Sequence, residues 1–268
     1  NHGTIQGEST AVVSQVRLLL NNTGSIVAND DDGTSVGVLV RNLNATEVTL
    51  GSVINNSGYI SGQEFAIQFV DEDNTVRNSG EIVGDILFDD GDDLFDGRGG
   101  TVDGTVFGAF GDDVYIIDDS TIALVEGVEE GIDTIKSEVD WVLGENFENL
   151  ELLGGGDIDG IGNELANLMS GNSGHNYIHG ADGNDTILGA NGNDDLRGGD
   201  GNDSIEGGSG EDKIRGHRND DNIRGNTGDD TIRGGLGNDT IRGNDDDDLI
   251  RGGRGNDDLR GGDGNDVI

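Results

Sequence analysis

Residues 180–268 read GADGNDTIL (180–188), GANGNDDLR (189–197), GGDGNDSIE (198–206), GGSGEDKIR (207–215), GHRNDDNIR (216–224), GNTGDDTIR (225–233), GGLGNDTIR (234–242), GNDDDDLIR (243–251), GGRGNDDLR (252–260) and GGDGNDVI (261–268). The nine-residue unit runs ten times without an insertion, the last copy one residue short. Position 1 is always Gly, and position 6 is Asp185, Asp194, Asp203, Asp212, Asp221, Asp230, Asp239, Asp248, Asp257 and Asp266. Position 8 is always Ile or Leu, flanked mostly by polar residues, which makes a short strand with one side chain pointing inward. One nonapeptide cannot bury that side chain alone, whereas stacked copies can, so the period predicts a solenoid.

Composition agrees with a chain that has no ordinary core. Of 268 residues, 50 are Gly and only 31% are hydrophobic, with no Pro and no Cys. The formal charge of −40 excludes nucleic acid or an anionic membrane as a simple electrostatic partner and asks for a bound cation. Without Cys, neither disulfides nor thiolate metal sites can hold the fold. No apolar run approaches the roughly 20 residues that cross a bilayer, so no transmembrane segment is expected. The chain opens on Asn1 inside a recurring motif and stops at position 8 of a repeat, which reads as a portion of something longer.

Upstream, residues 1–83 carry a looser motif: Asn1-His2-Gly3-Thr4-Ile5, Asn22-Thr23-Gly24-Ser25-Ile26, Asn56-Ser57-Gly58-Tyr59-Ile60 and Asn78-Ser79-Gly80-Glu81-Ile82. A weaker copy, Asn42-Leu43-Asn44-Ala45, divides the longest gap. About 20 residues per period predicts one coil of a parallel β-helix. Asn suits its turns because it tolerates left-handed backbone and can hydrogen-bond to an Asn stacked above it. Residues 84–179 read as β-helix with sporadic acidic turns and a transition. Asp93 and Asp113 fall in Gly-Asp-Asp turns one coil apart, and Gly162-Asn163 to Asn167 and Gly171-Asn172 to Asn176 keep the nine-residue turn while removing its charge.

Hard cations such as Ca²⁺ take six to eight oxygens from carboxylates and carbonyls, and a glycine-rich turn can aim several carbonyls at one point. One carboxylate per unit cannot hold an ion alone, so ions should sit between turns with each Asp shared. The unit resembles the repeats-in-toxin (RTX) nonapeptide, closely over 180–268 and loosely over 84–179. The resemblance implies an all-β fold, a right-handed parallel β-helix continuing into a calcium-binding β-roll, with units two apart stacked. It implies one site from Ala181, Gly183, Asp185, Gly198, Asp200 and Asp203, the next from Ala190, Gly192, Asp194, Gly207, Ser209 and Asp212. Ten units then give about eight ions, with one or more further ions expected near 89–113 at Asp93 and Asp113. The units starting at Gly216 and Gly243 lack Gly at positions 2 and 4, so weaker or distorted sites are expected there without a break in the roll. Arg197, Arg215, Arg224, Arg233, Arg242, Arg251 and Arg260, all at position 9, are expected to form outward ladders that balance charge.

Other chemistries are weaker. Asp30-Asp31-Asp32, Asp71-Glu72-Asp73 and Asp89-Asp90 could be acid/base groups in a groove, but they sit in turns where solvated acids are ordinary. His175 and His179 lie four apart with no helix to join them, and position 3 lacks the flat Thr row of an ice-binding face. No nucleophile or phosphate-cradling motif is present, so the chain reads as non-enzymatic. The expected protein is a secreted or cell-surface calcium-binding structural or adhesive solenoid that folds on meeting extracellular calcium, with type I secretion as the family's route. The alternative is the non-catalytic region of a larger secreted protease, lipase or uronate epimerase. Calcium is the expected partner, with end-to-end self-association or a surface polysaccharide beside it.

Overall fold

The computed structural model describes residues 1–8, 10–14, 17–29, 34–40, 51–70 and 73–268. Asp30-Asp31-Asp32, Asp71-Glu72 and the weak copy at Asn42 to Ala45 lie outside the described residues. Among the described residues there is no helix; strands pair in parallel throughout, and the molecule is an all-β solenoid. It divides into two compact units, Asn1–Thr134 and Ile135–Ile268.

In the first unit, one ladder stacks Leu19–Asn22, Val53–Asn56, Thr75–Asn78, Leu94–Asp96 and Val114–Ile117. A second stacks Thr4–Gly7, Ser25–Ala28, Tyr59–Gln68, Glu81–Leu87, Thr105–Phe107 and Ala123–Val125. Between them the core is filled by large side chains, among them Phe69, Phe88, Phe95 and Tyr115, each at most 1% exposed. Phe69 and Phe88 stack with centroids 5.3 Å apart.

The Asn of each N-x-G turn faces inward, forming a ladder that runs along the coils. Nδ2 of Asn22 donates to Oδ1 of Asn56 at 2.8 Å, and Nδ2 of Asn56 donates to Oδ1 of Asn78 at 2.9 Å. All three are 1–2% exposed, so these amides satisfy one another where water is excluded. The following Gly is required by the close approach of successive turns: a Cβ on Gly58 would overlap the backbone of Gly24.

The second unit has the tighter gauge. Ladders run through Asn149–Leu152, Leu168–Ser170, Thr186–Asn191, Ser204–Ser209, Asn222–Thr227, Thr240–Asp245 and Asp258–Asp263, and through Trp141–Val142, Gly160–Ile161, Tyr177–Asp182, Asp195–Asp200, Lys213–Arg218, Thr231–Leu236 and Leu249–Arg254. Register places Ile187 beside Ile205 and Leu196 beside Ile214, so nonapeptides two apart stack as the resemblance implied. Position 8 supplies the core: Ile187, Leu196, Ile205, Ile214, Ile223, Ile232, Ile241 and Ile250 are at most 1% exposed. In the last coil Leu259 is half-buried and Ile268 is 65% exposed, unlike the eight before them.

Because Asn56 both donates to and accepts from its stacked neighbours, Asn56→Ala should leave two buried amide groups short of a partner. The expected loss is about 3 kcal/mol, read by urea denaturation in saturating calcium.

Candidate metal centres in the nonapeptide turns

Each turn is shaped by two left-handed residues. All ten units have positive φ at positions 2 and 4, including the non-glycines Ala181 (87°), Ala190 (80°), His217 (83°), Asn219 (71°), Asn226 (84°), Asn244 (86°) and Asp246 (80°). The units at Gly216 and Gly243 therefore keep the backbone geometry of their neighbours, and the ladders pass through them in register. Asn and Asp bear this conformation at modest cost, which explains three of the four substitutions there; His217 bears it as well.

The position-6 aspartate is the centre of the turn. Asp185, Asp194, Asp203, Asp212, Asp221, Asp230, Asp239 and Asp248 are 1–2% exposed. Oδ1 of each accepts the backbone N–H of the residue 18 positions earlier, at 2.8 to 3.0 Å: Asn167, Asn176, Asp185, Asp194, Asp203, Asp212, Asp221 and Asp230 in turn. Oδ2 of all eight is buried without a hydrogen-bond partner. It lies against the position-1 Gly of its own unit, where a Cβ on Gly198, for example, would collide with Asp203 Oδ2. This contact explains why position 1 admits no side chain. Asp257 and Asp266 repeat the Oδ1 bond, to Asp239 and Asp248, but are less deeply covered.

The neutral turns give a control within the same chain. Oδ1 of Asn167 accepts the Asn163 N–H at 2.9 Å while its Nδ2 donates to the carbonyls of Phe147 and Glu148. Asn176 is tied likewise to Asn172 and to the Ile158 carbonyl. An amide at position 6 is thus satisfied by the protein, whereas a carboxylate is left one partner short.

That missing partner has an electrostatic signature. Burial pushes Asp185, Asp194 and Asp230 up to about 7, Asp203 to about 6 and Asp221 to about 8, and it also raises Asp212, Asp239 and Asp248. The backbone N–H bond to Oδ1 pulls each one back down and does not outweigh desolvation. A divalent cation would hold these groups ionised. The donors are all hard oxygens, the set that suits Ca²⁺.

The carbonyl ligands implied by resemblance lie on adjacent coils: Ala181 pairs with Gly199 and Ala190 with Gly208, while Gly183 and Gly192 donate N–H to the carbonyls of Asp200 and Ser209 at 2.9 and 2.8 Å. Gly198 and Gly207 abut Asp203 and Asp212. Each carbonyl oxygen keeps a second lone pair for an ion.

The position-9 arginines do form outward ladders, Arg197 beside Arg215, Arg233 and Arg251, and Arg224 beside Arg242 and Arg260. Arg215 reaches Asp195 at 2.8 Å and Arg224 reaches Glu206 at 2.7 Å, in exposed pairs that add little stability. His175 is exposed and accepts the Asn193 N–H at Nδ1, while His179 is half-buried, its pKa lowered by burial and by Arg197. Among the described residues neither joins a cluster of metal-binding type.

Asp93 and Asp113 are buried in the first unit, where the Asp93 N–H donates to Asp113 Oδ1 at 2.7 Å. Asp113 meets Glu126 and Asp133, which the sequence reading missed; Asp93 is not in that trio. Asp133 was findable, since Gly131-Ile132-Asp133-Thr134-Ile135 copies the Gly-x-Asp-x-Ile end of the unit one coil after Asp113. Glu126 arrives from the opposite ladder and had no local signal.

The family model for the RTX calcium-binding nonapeptide repeat matches residues 161–196, 188–223, 197–232, 215–250 and 233–268. The segment 161–268 is therefore built of RTX repeats, and such repeats bind calcium. Two curated relatives from Rhizobium meliloti (strain 1021) are similar over part of the chain. They are endo-1,3-1,4-beta-glycanase ExsH, 39% identical over 74 residues, and endo-1,3-1,4-beta-glycanase EglC, 38% identical over 71 residues. These matches cover 28% and 26% of this chain but only 16% and 15% of the relatives' lengths.

Without calcium, the raised carboxyls make the folded second unit bind more protons than the unfolded chain. Its stability is then greatest near pH 4 and falls by about 1.4 kcal/mol per pH unit for each such group as the pH climbs toward 7 or 8. Thermal melting in chelator should therefore drop between pH 5 and pH 8. In millimolar calcium the trend should reverse, because protons compete with the ion for the same oxygens.

Proposed function

We propose that this chain is a non-catalytic, calcium-dependent structural solenoid that works outside the cell. The observation that carries the reading is the two columns of four position-6 aspartates, all eight with a second carboxylate oxygen that is buried and unpartnered. In calcium-poor surroundings at neutral pH and above those charges oppose one another and the roll stays largely unfolded. Where calcium is abundant, about eight ions shared between turns offset them and folding follows binding. A polypeptide with this linkage can leave a cell unfolded and fold after export, which supports a secreted or surface location. A structural or adhesive part at the cell surface is one setting for it.

The setting as an accessory region of a larger secreted enzyme is favoured by a specific observation, the similarity to short portions of two proteins named as glycanases. In that setting the solenoid assists folding or export and leaves chemistry to a partner domain.

Circular dichroism of the chain in chelator and in millimolar calcium tests the calcium reading. Strand signal should appear with the ion, together with binding of about eight ions; equal strand content in both conditions defeats it. Asp221→Asn should lower the number of bound ions by one or two, since the carboxylate is shared, while leaving the chelator state no less stable. Incubation of the calcium-loaded chain with a mixed-linkage β-glucan should release no reducing ends, and release would overturn the non-catalytic reading.

A further inference from the structure

The first unit contains a buried group that the nonapeptide repeats do not account for. Asp113, Glu126 and Asp133 are 1%, 5% and 1% exposed, and one carboxylate oxygen from each lies within 4.8 Å of the others. Two of them come from stacked turns: Asp113 Oδ1 accepts the Asp93 N–H at 2.7 Å, and Asp133 Oδ1 accepts the Asp113 N–H at 2.9 Å. Glu126 approaches from the other side, directly after the strand Ala123–Val125, which pairs with Thr105–Phe107.

The groups converge on Gly108. Asp113 Oδ2, Glu126 Oε1 and the Tyr115 hydroxyl all border the space that a side chain on Gly108 would fill. The Tyr115 hydroxyl donates to Glu126 Oε1. Asp113 Oδ2 is buried, aimed into this space, and has no hydrogen-bond partner. Burial pushes Asp113 up to about 7 and Glu126 up to about 8, and the charged neighbours that add to this, Asp92, Asp112 and Glu130, are themselves acidic. Three buried carboxyls in such surroundings need a positive charge among them to stay ionised.

We propose that Asp113, Glu126 and Asp133, with Tyr115 beside them, bind a calcium ion in a site built differently from those of the nonapeptide turns. Its ligands are side-chain oxygens gathered from both ladders of a coil, in place of carbonyls shared between stacked turns. Calcium holds oxygens at about 2.4 Å, so two of its ligands stand at most about 4.8 Å apart, the span within which these oxygens fall. The donors are oxygen only, which disfavours zinc and copper. The ion would fasten the turn after Ala123–Val125 to the stacked acidic turns and give the first unit its own dependence on calcium.

The test counts ions on the whole chain by equilibrium dialysis at saturating calcium. Glu126→Gln and, separately, Gly108→Ala, which sets a methyl among the three oxygens, should each bind one ion fewer than the parent, with unchanged circular dichroism in calcium. In chelator Glu126→Gln should melt no lower than the parent, because a buried charge has gone, whereas a purely structural role predicts a lower melting temperature in both conditions. Equal ion counts in parent and variants overturn the proposal. Should both variants fail to fold, Tyr115→Phe keeps the ring and the carboxyls. Tyrosine-excited terbium emission should then drop, and unchanged emission overturns the site. The outcome is separable from the repeat reading: a parent that binds a single ion, lost in Glu126→Gln, would defeat the repeat sites and keep this one.

Discussion

The second unit depends on a division of labour within one carboxylate. At each of the eight buried position-6 aspartates, Oδ1 holds the backbone N–H of the turn 18 residues earlier, and Oδ2 is turned into a space with no donor. The first bond sets the spacing of the coils. The second oxygen makes that spacing costly until a cation arrives, because an ionised carboxylate out of water needs a counter-charge. Stability and ligand binding are therefore one quantity here, since the same eight side chains both stack the turns and wait for the ion.

The two units solve the stacking of turns with different inward-facing groups. In the first, Asn22, Asn56 and Asn78 pass hydrogen bonds from amide to amide and need nothing further. In the second, Asp replaces Asn and the ladder acquires a vacancy in its hydrogen bonding. Asn167 and Asn176 show the exchange within a single fold: the same turn, closed by an amide, satisfies itself from Asn163, Phe147 and Glu148 or from Asn172 and Ile158. The core changes in step. Wide coils bury Phe69, Phe88, Phe95 and Tyr115, while the narrow coils have room for a single Ile or Leu from each nonapeptide.

The acidic turns of the first unit belong to neither scheme alone. Asp93, Asp113 and Asp133 stack through Oδ1 as the nonapeptide aspartates do, yet the coil around them is wide enough to admit Tyr115 and Glu126. A broad coil can bring a side chain across from the opposite ladder, where a narrow coil has only its own turn to draw on. That difference in width turns a column of aspartates into a three-sided oxygen pocket beside Gly108.

Much of this was legible in the chain itself. Strict periods of nine residues, with Gly at position 1, Asp at 6 and Ile or Leu at 8, determine the strand, the turn and the inward residue, because each is a local demand of backbone sterics and apolar burial. The repeated Asn before Gly likewise announced the stacked amides. Only the tertiary structure decided what happens across a coil. It settled that Asp93 stands outside the carboxylate trio, that Glu126 and Tyr115 meet Asp113, and that His217 takes the left-handed position as Ala181 does. The reason is physical: a repeat period reports contacts between equivalent positions one coil apart, whereas a pocket is made by non-equivalent positions whose meeting is set by the width of the coil.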